Sequence, residues 1–304
     1  MRTVYMGSSQ FAVEVLKALA ASPHRPALVV TPPDRPRGRG RKLGAPPAAS
    51  AARELGIELL QAGSVNEQEP LAAIDAVAPE ALCVAEFGQL IKEPLLSRYL
   101  ILNVHPSMLP RWRGAAPIER TLMAGDAETG VTIFEIEAGL DSGPIALAER
   151  EQVQPDDTAG TLSARLAKLG GALLVQALER AEAGSLELTD QDADGVTYAD
   201  KIDPSERRLD LSRPAAEVER KVRALTPHVG TFLSLPDGER LGVTSARAVD
   251  DPLARGELRG AGGRLLVGCS EGALELLEVQ PPGKRPMPVS AYLSGHRMPE
   301  RAEV

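Results

Sequence analysis

Asn103 and His105 stand two residues apart in the string NVHPSMLP, at the end of an apolar run. On an extended chain that spacing turns both side chains to the same side. A carboxamide beside an imidazole suits one task well. Both can hydrogen-bond to an oxyanion forming on an attacked carbonyl, and the imidazole can also carry a proton. Pro106 and Pro110 stiffen the loop that follows, because each fixes its own φ and biases its predecessor away from helix. Asp141 lies in EAGLDSGP between Gly139 and Gly143, which let the backbone turn tightly. A carboxylate there could orient the imidazole and help relay its proton. Residue types alone leave these roles open: a histidine near a strand end is more often structural, an asparagine can cap a loop, and GLDSGP is a turn in its own right. No other chemistry competes strongly. Cys83 and Cys269 sit inside apolar runs and read as packing residues. His24, His228 and His296 have no ligand spacing and no CxxC or HxxxH pair exists, so a metal site is not expected.

Such a trio needs a rigid support, and the hydrophobic pattern supplies one. Residues 1–31 read strand, helix, strand. Helices near 45–55 and 67–77 then alternate with strands near 57–60, 81–85 and 101–104. This alternation predicts an α/β fold with a Rossmann-like, doubly wound, mainly parallel sheet. Ligands of such sheets bind at the carboxyl ends of the strands, where Asn103 and His105 fall. Two β-rich runs within 131–153 are joined by GLDSGP, and a long amphipathic helix follows over 158–183. The first strand–helix turn, Met6-Gly7-Ser8-Ser9-Gln10, carries one glycine where a dinucleotide fingerprint needs three, so NAD is not expected.

The 304 residues exceed what one compact core usually covers. A catalytic domain is expected over 1–188, a polar linker over 189–206 and a smaller domain over 207–304. The last part shows a helix pattern near 214–225 and about five short strands between turns, consistent with a small OB-like β-barrel. No apolar stretch reaches the roughly 18 residues of a membrane span. The N-terminus lacks an apolar signal region, so a cytoplasmic protein is expected.

Net charge is −8, which argues against a protein coated in nucleic acid, but the charge is uneven. Residues 207–304 hold 15 Lys+Arg against 13 Asp+Glu, and the remaining 206 hold 19 against 29. Within the acidic part, residues 34–42 carry five cations, Arg35, Arg37, Arg39, Arg41 and Lys42, and one anion, Asp34. Glycine and proline there exclude a regular helix and predict a mobile basic loop, the natural place to touch phosphates.

The string NVHPSMLPRWRGAAPIERTLMAGD, followed by GVTIFEIEAGLDSGP, closely resembles the hallmark of the folate-dependent formyltransferases. The likeness runs over nearly the whole chain, through VYMGSSQFAVEVLKAL, TPPDRPRGRGRKL, YADKIDPSERRLDL and ALELLEVQPPGKRPM. Departures are small: Met108 replaces a usual leucine, Ser8-Ser9-Gln10 a usual Thr-Pro-Asp, and Leu211 a common aromatic residue. The resemblance implies Asn103, His105 and Asp141 as the catalytic trio and 10-formyltetrahydrofolate as co-substrate. It implies initiator methionyl-tRNA as acceptor, in a monomeric enzyme serving translation initiation. The folate pocket it implies involves Val84, Ala85, Glu86, Phe87, Gly88, Gln89, Leu90, Ser107, Leu109, Pro110, Glu137, Gly139 and Leu140. The implied tRNA contacts are Arg35, Arg37, Arg39, Arg41 and Lys42, with Arg207 and Arg208 in the C-terminal part. Arg220, Lys221, Arg223, Lys284 and Arg285 could extend that face. Two rivals share the trio or the fold: a formyltransferase or hydrolase acting on a small metabolite, and an RNA-binding protein without activity. The basic loop and appended domain argue against the first, the intact trio against the second.

Overall fold

The computed structural model describes residues 1–37, 42–296 and 298–304, the side chains of Arg37 and Lys42 excepted. Contacts divide it into two compact units. Unit 1 comprises Met1–Pro117, Glu128–Gln152 and Ser163–Ala199; unit 2 comprises Ile118–Ala127, Val153–Leu162 and Asp200–Val304.

Unit 1 runs β1 (Thr3–Gly7), α1 (Gln10–Ala20), β2 (Pro26–Thr31), β3 (Arg35–Arg37), β4 (Lys42–Gly44), α2 (Pro47–Glu54), β5 (Glu58–Gln61), α3 (Gln68–Val77), β6 (Ala81–Ala85), α4 (Leu95–Arg98), β7 (Leu100–His105) and β8 (Arg113–Gly114). After α5 (Pro117–Ala124) come β9 (Glu128–Glu135), β10 (Ile145–Gln152), α6 (Ala159–Glu182) and β11 (Tyr198–Ala199). The main sheet has the order β10-β9-β7-β6-β1-β2-β5. Its five strands from β5 to β7 are parallel, and β9 and β10 add antiparallel pairs at one edge. β1 and β6 are buried at every residue, as strands covered on both faces must be, which is why they read as continuous apolar runs. Val4, Met6, Leu28, Val30, Leu82, Val84 and Ile101 gather on one face with Ile74 of α3. On the other face Gly170 of α6 lies so close to Val104 and Val131 that a Cβ there would collide with Val104, so the helix presses directly on β7.

The doubly wound, mainly parallel sheet is therefore the one the alternation predicts. Two local differences matter. The flanks of the basic loop form a short antiparallel ladder, β3 with β4, so four residues at its tip separate paired strands. Residues 189–199, expected within a linker, are built into unit 1. Thr189 exchanges backbone hydrogen bonds with Ile145 (2.7 and 2.9 Å), and β11 lies parallel to β8.

Unit 2 contains most of α5, then α7 (Ala215–Leu225), β12 (Thr231–Ser234), β13 (Arg240–Val249), β14 (Leu258–Ala261), β15 (Arg264–Gly268), β16 (Ala273–Gln280), β17 (Met287–Pro288) and α8 (Val289–Gly295). Its antiparallel sheet has the order β12-β13-β16-β15-β14, with β17 beside β16. The short strands expected between turns are thus present as an antiparallel sheet, whose end strands β12 and β14 do not pair with each other among the described residues. Val218 and Val222 of α7 pack with Leu241, Val243, Leu274 and Leu276 to form the core.

A buried carboxylate lies on this sheet. Glu275, 3% exposed, takes Arg264 at 2.7 and 2.9 Å and Arg247 at 2.7 Å. Arg264 chiefly, with Arg247, holds its carboxyl down at about 2, far below the ordinary 4.5. A depressed carboxyl adds stability above its unfolded pKa and loses it as pH falls from there through the folded value. Because both arginines are half-exposed, screening leaves about 2 kcal/mol. Glu275→Gln is expected to lower urea-unfolding stability by that amount at pH 7. It should also flatten the pH dependence between pH 4.5 and 2. Equal stability of both proteins at pH 7 would contradict this.

Candidate active site

β7 brings Asn103 and His105 to the carboxyl end of the sheet, opposite Phe134 and Thr132 of β9. The Asn103 carboxamide is half-buried and has no hydrogen-bond partner among the described residues, so its N–H groups are unengaged. His105 is only 4% exposed, edge-on to Phe134 at 6.2 Å. Its Nε2 lies 2.8 Å from the Trp112 carbonyl oxygen. A carbonyl only accepts, so Nε2 carries the proton and Nδ1 keeps a lone pair in the neutral ring. Burial pushes the ring pKa below its ordinary 6.5, against the raising influence of Asp141 and the Trp112 carbonyl. The neutral ring has no N–H left for an oxyanion. Of the two roles expected for His105, the geometry favours proton acceptor.

The loop after β7 is fixed by two buried hydroxyls. Thr132 Oγ1 accepts from the Leu109 N–H (3.1 Å) and donates to the Ser107 carbonyl (2.7 Å). Ser107 Oγ donates to the Arg111 carbonyl at 2.6 Å. Trp112 and Gly114 both take positive φ, 64° and 120°, and this kinked path aims the Trp112 carbonyl at His105 and the Gly114 N–H at Asp141.

Asp141 Oδ2 accepts that N–H at 2.8 Å and stands 3.8 Å from His105 Nδ1. The Asp141 backbone is left-handed, φ 44°, a conformation that costs a non-glycine residue about 1 kcal/mol or more. Gly143 is required here: a Cβ would collide with the Glu135 carbonyl. The structure thus brings together Asp141 and His105, with Asn103 on the same strand as His105. Among the described residues no three His, Cys, Asp or Glu side chains gather as metal ligands. No described helix is long and apolar enough to cross a membrane.

The residues expected around folate divide into several groups. Val84 and Phe87 are buried in the core with Ile91, and the half-buried Ile136 packs on the same cluster. Ala85 is buried as well, whereas Glu86 and Gly88 are exposed with φ 41° and 74°. Leu90 and Leu140 leave large apolar side chains 68% and 61% in solvent. Leu109 is buried, Pro110 half-buried, and Glu137 and Gly139 exposed. The Gln89 amide accepts from the Val65 N–H (2.7 Å) and donates to the Ala62 carbonyl (2.8 Å), so its side chain ties two loops together. The Ser107 hydroxyl is likewise engaged. Sequence reasoning also missed Ser8, which donates to the Glu86 carbonyl at 2.6 Å, and Ser9, which bonds the Glu86 carboxylate.

Of the basic residues, Arg35 is exposed on β3. Arg39 and Arg41 lie outside the described residues, as do the side chains of Arg37 and Lys42. In unit 2 Arg208, Lys284 and Arg285 are exposed, and Arg207 donates to the Gly230 carbonyl at 3.1 Å. Arg220, Lys221 and Arg223 do not extend a free face. They bond the Met123, Arg208 and Asp157 carbonyls within the unit, and Arg223 pairs with Glu219.

Sequence comparison matches residues 1–178 to the formyl transferase family and residues 201–297 to the formyl transferase C-terminal domain. The methionyl-tRNA formyltransferase of Paracoccus denitrificans is 42% identical over 309 residues, covering all of both chains. That of Methylococcus capsulatus is 41% identical over 302 residues, 98% of each. Among solved structures, the sugar 3N-formyl transferase WlaRD, determined with dTDP and 5-N-formyl-THF, aligns with a TM-score of 0.67 at 15% identity. The match covers 94% of this chain and 99% of that one. HypX of Aquifex aeolicus in complex with tetrahydrofolic acid aligns with a TM-score of 0.65 at 16% identity, over 97% of this chain and 47% of that one. At such identities these two describe the fold alone.

Proposed function

The chain belongs to the formyl transferase family, and on that footing we propose that it transfers the formyl group of 10-formyltetrahydrofolate to the α-amine of initiator methionyl-tRNA. The observation that carries the mechanism is the pairing of His105 Nδ1 with Asp141 beside an unengaged Asn103 carboxamide. The amine attacks the formyl carbon, forming the new C–N bond. Asn103 donates to the oxyanion that results, and such a donor typically contributes about 10²–10³ in turnover. His105 takes the proton released by the amine on Nδ1, and the Asp141 carboxylate stabilises the imidazolium. As the bond to folate N10 breaks, His105 returns a proton to that nitrogen. All atoms and charges balance without a covalent enzyme intermediate.

Under this reading Leu90 and Leu140 close on the faces of the pterin, while the backbone at 85–88 reads its edge. The basic hairpin grips tRNA phosphates, with Arg207 and Arg208 adding contacts from the C-terminal domain. Unit 1 carries catalysis and unit 2 adds tRNA binding, in a monomer working in the cytoplasm. Identity above 40% to relatives named for methionyl-tRNA supports that acceptor over a sugar amine. The test is formyl transfer from 10-formyltetrahydrofolate to charged initiator tRNA and, in parallel, to dTDP-linked amino sugars. Formylation of the tRNA alone is expected; comparable transfer to the sugar overturns the acceptor.

A further inference from the structure

The strap over 189–199 is pinned at both ends to the two loops that build the site. At one end Thr189 pairs with Ile145, just beyond the Asp141 turn. At the other, Thr197 Oγ1 accepts the Trp112 N–H (2.9 Å) and the Thr197 carbonyl accepts the Arg113 N–H (2.9 Å). The Ala199 carbonyl takes the N–H groups of Ala115 and Ala116 at 2.8 and 3.1 Å. Residues 190 and 192–195 are exposed, but Gln191 is withdrawn and its amide is saturated. Nε2 donates to the carbonyls of Asp141 and Gly143, both at 2.8 Å. Oε1 accepts from Nε and Nη2 of Arg113 at 3.0 and 2.7 Å. One side chain therefore uses two donors and two acceptors to couple the Asp141 turn to the segment 112–114.

We propose that Gln191 is a positioning residue for formyl transfer: it locks the left-handed Asp141 turn against the loop carrying Trp112 and Gly114, and so sets how Asp141 meets His105. The proposal rests on the catalytic roles argued above for Asp141 and His105. Its logic is that the strained backbone at Asp141 persists only where its surroundings over-determine it. The Gly114 N–H fixes the carboxylate, and the two Nε2 bonds fix the carbonyls at and after it. Without Gln191 the turn can relax while the Gly114 bond stretches, and Asp141 drifts from Nδ1. Ångström-scale misplacement of a reacting group can cost about 10² in rate, with substrate binding little affected.

The test is a double-mutant cycle on the full chain, followed by single-turnover formylation of charged initiator tRNA. Gln191→Met is expected to lower the rate about 10–100-fold, with KM for both substrates changed less than about 3-fold. In an Asp141→Ala background the same change is expected to cost less than about 2-fold further, because Gln191 acts through Asp141. Gln191→Glu keeps the acceptor for Arg113 and loses the donor pair. It should show the same loss, and it decides the matter if the methionine variant does not fold. Unchanged turnover in the glutamate variant, or equal losses with and without the Asp141 carboxylate, overturns the positioning role and leaves the catalytic reading intact. Near-normal turnover in Asp141→Ala alone sinks that reading and the proposal with it.

Discussion

His105→Ala is expected to lower kcat for formyl transfer by about three orders of magnitude, the scale of a positioned general base, with small changes in KM. The ring is buried, its Nε2–H is committed to Trp112, and only Nδ1 faces Asp141. Removing it leaves the amine's proton without an acceptor while the Asn103 donor remains. The pH profile gives a second, independent readout. Burial lowers the ring pKa beneath 6.5, and the protonated ring cannot accept a proton. Activity should thus be full near neutrality and fall as pH drops through a value below 6.5, a limb that vanishes in His105→Ala. Asn103→Ala should lose about 10²–10³ and retain the limb. Turnover within about 10-fold of wild type in His105→Ala, measured with saturating tRNA and folate, contradicts the assignment.

The second large effect concerns the basic hairpin. Neutralising Arg37, Arg39 and Arg41 together is expected to raise KM for methionyl-tRNA about 100-fold at low salt. It should also make the slope of log affinity against log salt shallower by about 2–3, as each lost phosphate contact releases fewer counterions. Arg35–Arg37 and Lys42–Gly44 pair with each other and not with the main sheet, so the substitutions can remove charge without disturbing that sheet. Folate affinity, followed by fluorescence quenching, should be unchanged. Parallel loss of folate and tRNA binding would show that the hairpin supports the pocket and does not grip RNA.

What the sequence made legible was periodic or local. Strands buried on both faces announce themselves as unbroken apolar runs, and β6 falls at the residues its hydrophobicity marks. Asn103 and His105 could be placed at a strand end because the apolar run before them stops there. Asp141 could be offered as a partner for His105 from residue type and then from family likeness, but nothing in GLDSGP fixes how it meets a ring 36 positions away. Side-chain bonds to distant backbone leave no period, and here the reading failed. Gln191 and Thr197 sit in a polar stretch whose composition resembles a linker, yet their partners are Asp141, Gly143 and Trp112. That both ends of the Gln89 amide are tied to the 62–65 loop is equally invisible in its residue type. Arg220, Lys221 and Arg223 likewise looked like free cations, but they cap carbonyls inside unit 2. In the C-terminal part the short strands between turns were legible, whereas the order in which they pair is not written in their number.

The chain passes between its two units five times, at 117, 127, 152, 162 and 199. That threading governs how such a protein can be taken apart or recombined. A fragment stopping at 199 strands two short segments whose partners, Glu206, Arg220 and Arg223 among them, have been deleted, so misfolding is its expected fate. Exchange of residues 200–304 with the corresponding part of a relative requires 118–127 and 153–162 to travel with them.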